Sequence, residues 1–266
     1  MYKRQLQSLS CCDTGIEKLD VSQNKELKTL TCYRTKIKSL ITNNNKNLTL
    51  LKCYETGIEE LDVRQNTKLQ SLYCDTTNIK SLDVSQNADL INLSCYNTAI
   101  EELDVRQNKD LQTLSCNGTN IKSLDISNNE KLTTLNCYKT GIEELDLSQN
   151  KDLKNLSCYN TKIGSLDVSQ NTALKNLTCY YCPLTWFNVG NNMNLTVSCN
   201  PRLPISLKVT EDTFCITEKI QGIDPSKVTI TAVSYTHLDV YKRQYSSFLE
   251  SALPGLISHS ALAPSW

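Results

Sequence analysis

A 21-residue repeat, kept in register without an insertion from Leu6 to about Asn200, constrains this chain more than any other feature. Full copies begin at Leu6, Leu27, Leu48, Leu69, Leu90, Leu111, Leu132, Leu153 and Leu174, and a shortened tenth begins at Leu195. Within the repeat, Leu recurs at positions 1 and 4, Cys at 6, Thr at 9, Ile at 11, Leu at 14, Val at 16 and Asn at 19. A unit this short cannot bury its own apolar face and must do so against its neighbours, so the period predicts one elongated solenoid.

Positions 4 and 6 are apolar between outward neighbours at 3, 5 and 7, the period-two pattern of a strand buried on one face. Stacking one strand per repeat gives a parallel sheet with rungs roughly 4.8 Å apart. Each strand is expected to centre on positions 4–6, for example Leu93–Cys95. The return path is too short for a packed helix, so I-x-x-L-D-V predicts a short second strand or 3₁₀ segment with Ile, Leu and Val inward. The fold class is thus mostly β with little or no α-helix. Thr at 9 and Asn at 19 sit where the chain turns, and their side chains suit turn backbone groups that would otherwise be orphaned.

This pattern resembles the leucine-rich repeat, L-x-x-L-x-L-x-x-N-x-L, in the short form of internalin-like bacterial surface proteins. The resemblance covers about three quarters of the chain, with two departures: Cys replaces the third Leu, as at Cys95 and Cys116, and Thr replaces the ladder Asn, as at Thr98 and Thr119. It implies a parallel sheet on a concave face, ligand recognition on that face, and an extracellular or cell-surface location in a bacterium.

The ends read differently. Met1–Gln5 (MYKRQ) abuts the first repeat, and its letters return at Tyr241–Gln244 within Val233–Gln244, VSYTHLDVYKRQ. That dodecapeptide resembles the translation of two transposase mosaic ends joined head to head, a sequencing-library adaptor. Residues 1–5 and 233–244 are therefore expected to be adaptor artefacts, and 245–266 a foreign tail without fixed structure. The solenoid is assigned to 6–200. The alternating segments within 201–232, separated by a Pro-Ser turn, predict the start of a β-rich module or a C-terminal capping hairpin.

With 28 basic and 28 acidic residues the chain is neutral and has no basic stripe, which argues against a nucleic-acid partner. No apolar run is long enough to span a membrane. The only histidines, His237 and His259, lie in the adaptor and tail, and the repeats hold no phosphate loop or nucleophile motif, so an enzyme is not expected. No cofactor is implied either. At position 12, Glu17, Glu59, Glu101 and Glu143 alternate with Lys38, Lys80 and Lys122, which predicts opposite charges paired across rungs. At position 15, Asp20, Asp62, Asp83, Asp104, Asp125, Asp146 and Asp167 form a column that suits either cations or turn backbone.

Of the 13 cysteines, nine occupy one core column, where reduced thiols act as small hydrophobes. Their parallel side chains are poorly placed for disulfides. Cys179-x-x-Cys182, with Cys199 and Cys215, has zinc-like spacing but falls on repeat positions, and no metal is assigned. Cys12, at an outward position, is expected to be exposed and reactive.

Position 7 is Tyr in six repeats (Tyr33, Tyr54, Tyr96, Tyr138, Tyr159, Tyr180), joined by Tyr73 and Tyr181 on adjacent columns. Tyrosine among small polar residues composes an adaptable recognition surface for a protein or a glycan. It is also a good strand residue that stabilises a sheet through stacked neighbours. Both readings stand at this point, as does a passive spacer presenting other domains.

Overall fold

The structure, a computed structural model, describes residues 6–190, 192 and 195–198, together with the backbone of strands within 205–209, 220–221 and 228–232. The expected adaptor segments and tail, at 1–5, 233–244 and 245–266, lie outside the described residues. So do Cys199 and Cys215.

Each repeat contributes one short strand to a long parallel sheet. These strands are β1 (Ser8–Ser10), β3 (Thr29–Thr31), β5 (Leu50–Lys52), β6 (Ser71–Tyr73), β7 (Asn92–Ser94), β8 (Thr113–Ser115), β9 (Thr134–Asn136), β10 (Asn155–Ser157), β12 (Asn176–Thr178) and β14 (Thr196–Ser198), followed by β16 (Ile220–Gln221). The register is one full repeat per rung through the periodic part: Leu72 pairs with Leu93 and Leu93 with Leu114. The strands cover positions 3–5 instead of 4–6, a shift of one residue from the sequence expectation. Beyond position 5 the ladder continues, since the Cys95 N–H donates to the Ser115 carbonyl at 2.9 Å. The chain turns at position 8, where Arg34, Glu55, Thr76, Asn97, Lys139 and Asn160 have φ between 51° and 54°. The expected sidedness holds: Leu114 and Cys116 are buried, while Ser115 between them is partly exposed.

The opposite side is extended and less regular. Two short strands there, β2 (Leu19–Asp20) and β4 (Leu40–Ile41), pair in parallel. At the other end β11 (Ser165–Asp167), β13 (Trp186–Asn188), β15 (Ile205–Val209) and β17 (Val228–Ala232) form a second parallel sheet. Between them one backbone bond per rung links neighbours, as from the Asn120 N–H to the Ile100 carbonyl at 2.9 Å. That is too sparse for a ladder. Ile100, Leu103 and Val105 nevertheless point inward and are buried, as the pattern requires. No helix occurs among the described residues.

Within 201–232 the described strands do not form a hairpin. Strand β15 pairs with β13 and β17, and β16 with β14, all in parallel, so these strands extend the two existing sheets.

The turns are stapled by side chains. Each Thr at position 9 donates to the Cys carbonyl three residues earlier, as Thr98 does to Cys95 at 2.7 Å. Each ladder Asn reaches back one repeat: Asn108 Nδ2 donates to the carbonyls of Val84, at 3.0 Å, and Asn87, at 2.8 Å. Both carbonyls also accept a backbone N–H of their own turn, from Asn87 at 3.0 Å and from Leu90 at 3.1 Å, so the amide is a second donor to each and ties consecutive turns together. Asn66 shows what the inner Oδ1 can accept. Thr42 stands where other repeats carry Val, Leu or Ile, and its hydroxyl donates to Asn66 Oδ1 at 2.8 Å.

Candidate functional site

The half-buried outward face of the eleven-stranded sheet gathers the tyrosines. The strict register places position-7 side chains on successive rungs, and where two consecutive repeats carry Tyr the rings stack. Tyr33 and Tyr54 lie 4.4 Å apart between centroids and 5° from parallel. Tyr138 stacks on Tyr159 at 4.3 Å, and Tyr159 on Tyr180 at 4.4 Å. Tyr181 meets Tyr180 edge-on at 5.1 Å and is exposed. Burial, followed by the flanking Tyr138 and Tyr180, pushes the Tyr159 phenol up to about 12, so that ring stays neutral over any physiological range. Tyr73, on column 5, lies beneath the Lys52 ammonium, 5.3 Å from the ring centroid.

The structure therefore gathers seven of the eight candidate tyrosines into two clusters, not one continuous strip. Tyr33, Tyr54 and Tyr73 belong to one end, and Tyr138, Tyr159, Tyr180 and Tyr181 to the other. Tyr96 stands between them and stacks on no other ring among the described residues. Its neighbours along the column are Asp75 and Asn117, both buried although they belong to the outward face.

Sequence reasoning passed over Asp75. It is 4% exposed, and its carboxylate accepts a hydrogen bond from the Ser94 hydroxyl. Burial pushes its carboxyl up to about 6 against the opposing hydrogen bonds from Ser94 and nearby backbone; Glu55 adds a smaller push. The signal was present in the sequence as the single acidic residue in a column of Tyr, Asn and Cys.

Other columns resolve into structure. Each Asp at position 15 accepts the backbone N–H two residues on, as Asp83 does from Ser85 at 2.9 Å. Arg64 and Arg106 also fold back as forks onto Asp62 and Asp104, and these hydrogen bonds hold the two carboxyls down at about 2. The column is a turn-capping device. Pairing of the alternating Glu and Lys at position 12 is not observed: Lys38, Lys80 and Lys122 form no ion pair among the described residues. Those side chains stay solvated on the exposed side, where holding two long chains together gains little. The ion pairs that do form include Arg34 with Asp13 and Glu55, and Lys162 with Glu143.

The described cysteines are all free thiols. Burial lifts ladder members such as Cys116, to about 12, whereas at Cys158 the hydrogen bond with Cys182 raises the thiol most and burial adds to it. Cys182, standing where Thr is the rule, donates to the Cys158 carbonyl at 3.1 Å. Its hydrogen bonding with Cys158 pulls it down to about 6 in spite of burial. Cys12 is half-buried instead of exposed; burial opposes ionisation there, but bonds from Thr31, Ser10 and Tyr33 win and lower its pKa. Among the described residues no three His, Cys, Asp or Glu side chains converge as metal ligands. No helix there is long and apolar enough to cross a membrane.

Repeat length, parallel register and the Asn and Cys columns together define a leucine-rich-repeat solenoid that is almost wholly β. No protein-family model and no curated protein matches the sequence. Among solved structures the chain is similar to the functional domain of InlJ from Listeria monocytogenes, whose description includes a cysteine ladder. That match has 29% identity and a TM-score of 0.73, and covers 86% of this chain and 50% of that one. A leucine-rich-repeat protein of Leptospira interrogans shares the fold at 24% identity and a TM-score of 0.64, over 67% of this chain and 50% of that one. Internalin C2 of Listeria monocytogenes does so at 19% identity and a TM-score of 0.61, over 73% of this chain and 80% of that one. The chain thus has the leucine-rich-repeat fold and is similar to internalins, and it spans about half the length of the first two of these relatives.

Proposed function

We propose that the protein is a non-catalytic recognition module that binds a protein ligand through the tyrosine-bearing face of its long sheet, in a bacterial protein at the cell surface or secreted. The observation that carries this reading is the pair of tyrosine clusters on one half-exposed face, while every other column of the repeat is engaged in core, turn or solvent contacts. Stacked tyrosines offer broad, rigid contact area with few rotors to freeze and a hydroxyl at the rim. The likeness to internalins supports a binding role in preference to a passive spacer. A glycan ligand would use the same rings, through their faces.

The test is replacement of Tyr96, Tyr138 and Tyr159 together by Ser. Binding to a ligand isolated by surface screening is expected to be lost, because interface energy concentrates in a few central aromatics, each worth on the order of 2 kcal/mol or more. Far-UV circular dichroism is expected to stay unchanged. Loss of the folded signal would instead make the tyrosines cross-strand stabilisers and favour the spacer.

A further inference from the structure

The interval between the two tyrosine clusters is built on the same rungs as the clusters themselves. Tyr54 and Tyr96 occupy position 7 two rungs apart, since Leu51 pairs with Leu72 and Leu72 with Leu93. Two rungs amount to roughly 9–10 Å. Tyr33 and Tyr54, one rung apart, stack at 4.4 Å. The missing rung thus has the thickness of one planar group held between two phenol faces. At its base lies the buried Asp75 carboxylate, with one oxygen engaged by the Ser94 hydroxyl. Tyr54 stacks on Tyr33, whereas Tyr96 stacks on no ring among the described residues, so one wall of the interval is backed by a second ring and the other is not.

We infer that the notch formed by Tyr54, Asp75 and Tyr96 is a socket for a guanidinium, taking an arginine side chain presented by the protein ligand. This rests on the recognition reading above and names the chemistry of one contact in it. A guanidinium is the cation that is also flat: it can stack between two phenol rings while its fork donates to the carboxylate, whose oxygens can each accept more than one hydrogen bond. On the rungs of Tyr54 and Asp75, two positions back along the chain, a cation already lies over a tyrosine, Lys52 above Tyr73. The matching interval between Tyr96 and Tyr138 has the amide of Asn117 at its base and lacks the charge, so it does not select a cation.

The groups packed around Asp75 leave it as the group that titrates near neutrality. The thiols of Cys53, Cys74 and Cys95 lie beneath it with pKa values raised by burial, and the Tyr96 phenol is raised as well. Glu55 is the other carboxylate nearby and is paired with Arg34. Arginine binding is therefore expected to weaken as pH falls through about 6, where Asp75 takes up a proton.

The experiment titrates the full chain with N-acetyl-arginine methylamide, its neutral citrulline isostere, the lysine equivalent and a methyl glycoside, reading ring-proton shifts of the tyrosines by NMR. The expected result is saturable movement of Tyr54 and Tyr96 with arginine, weaker with lysine, and about tenfold or more weaker with citrulline or with Asp75→Asn. Equal response to citrulline, indifference to Asp75→Asn, or movement of these rings by the glycoside alone would overturn the inference. The screened ligand separates the two claims. If the triple tyrosine variant loses that ligand while arginine and citrulline probes behave alike, the socket fails and the recognition reading stands. If the triple variant keeps the ligand, the recognition reading fails, and the probe titration still decides the socket.

Discussion

Asn108→Ala removes two buried hydrogen bonds that a single side chain makes between consecutive repeats. Asn108 is fully buried and its amide nitrogen serves two carbonyls of the preceding repeat, Val84 at 3.0 Å and Asn87 at 2.8 Å. Truncation removes one of two donors at each oxygen, since the Val84 carbonyl keeps the Asn87 N–H at 3.0 Å and the Asn87 carbonyl keeps the Leu90 N–H at 3.1 Å. At about 0.5–1.5 kcal/mol net per hydrogen bond, the two together give about 1–3 kcal/mol. One offset is local: the inner Oδ1 of Asn108 has no partner among the described residues, and its removal relieves a small penalty. Asn128→Ala is the matched control, because that amide makes one exposed bond, at 3.2 Å, to the Arg106 carbonyl. Urea unfolding of both variants, followed by circular dichroism, compares them directly. A midpoint loss for Asn108→Ala several times that of Asn128→Ala is expected; equal losses would refute the idea that the ladder amides hold the turns together.

Two further perturbations check the core and the buried acid. Leu114→Ala, at a fully buried site, is expected to cost about 2–5 kcal/mol, whereas Ser115→Ala, one residue along on the outer face, should barely move the melting temperature; equal shifts would contradict the inward and outward assignment. Asp75 has its carboxyl raised to about 6, above the ordinary 3.8, so the folded state binds the proton more tightly and gains stability as pH falls from above 6 toward 4. Asp75→Asn is accordingly expected to stabilise the protein by about 1–3 kcal/mol at pH 7.5, an advantage that shrinks by pH 4.5. A variant less stable than the parent at pH 7.5 would show that the ionised carboxylate is an asset to the fold.

The fold was legible in the sequence because a fixed 21-residue period leaves few ways to bury Leu, Ile and Val together. The register, the sidedness of Leu114 against Ser115, and the turn duties of Thr98 and Asn108 all follow from repeat position. Three features were not legible. The strands end at position 5 because the left-handed residue at position 8 bends the chain early, and many residue types adopt that conformation here, among them Arg34 and Lys139. The Glu and Lys column does not pair, since adjacency on a surface does not overcome side-chain entropy. Alternation marked the strands of 201–232, but the 21-residue spacing has lapsed there, so no pattern announced that they join the solenoid in parallel. In the candidate site, the tyrosines were readable from periodicity, but their division into two stacks follows from which repeats lack them. The burial of Asp75 depends on its neighbours, which a column of letters does not show.

The central claim is that the tyrosine face of the long sheet is the surface that meets the ligand. Its most direct measurement is a tyrosine-resolved footprint: oxidative or iodination labelling of the full chain with and without the screened ligand, read by mass spectrometry. The account predicts protection at Tyr54, Tyr96, Tyr138 and Tyr159, with Lys38, Lys80 and Lys122 on the other side of the solenoid remaining as reactive to an amine reagent as before. Protection of those lysines with the tyrosines unchanged would contradict it.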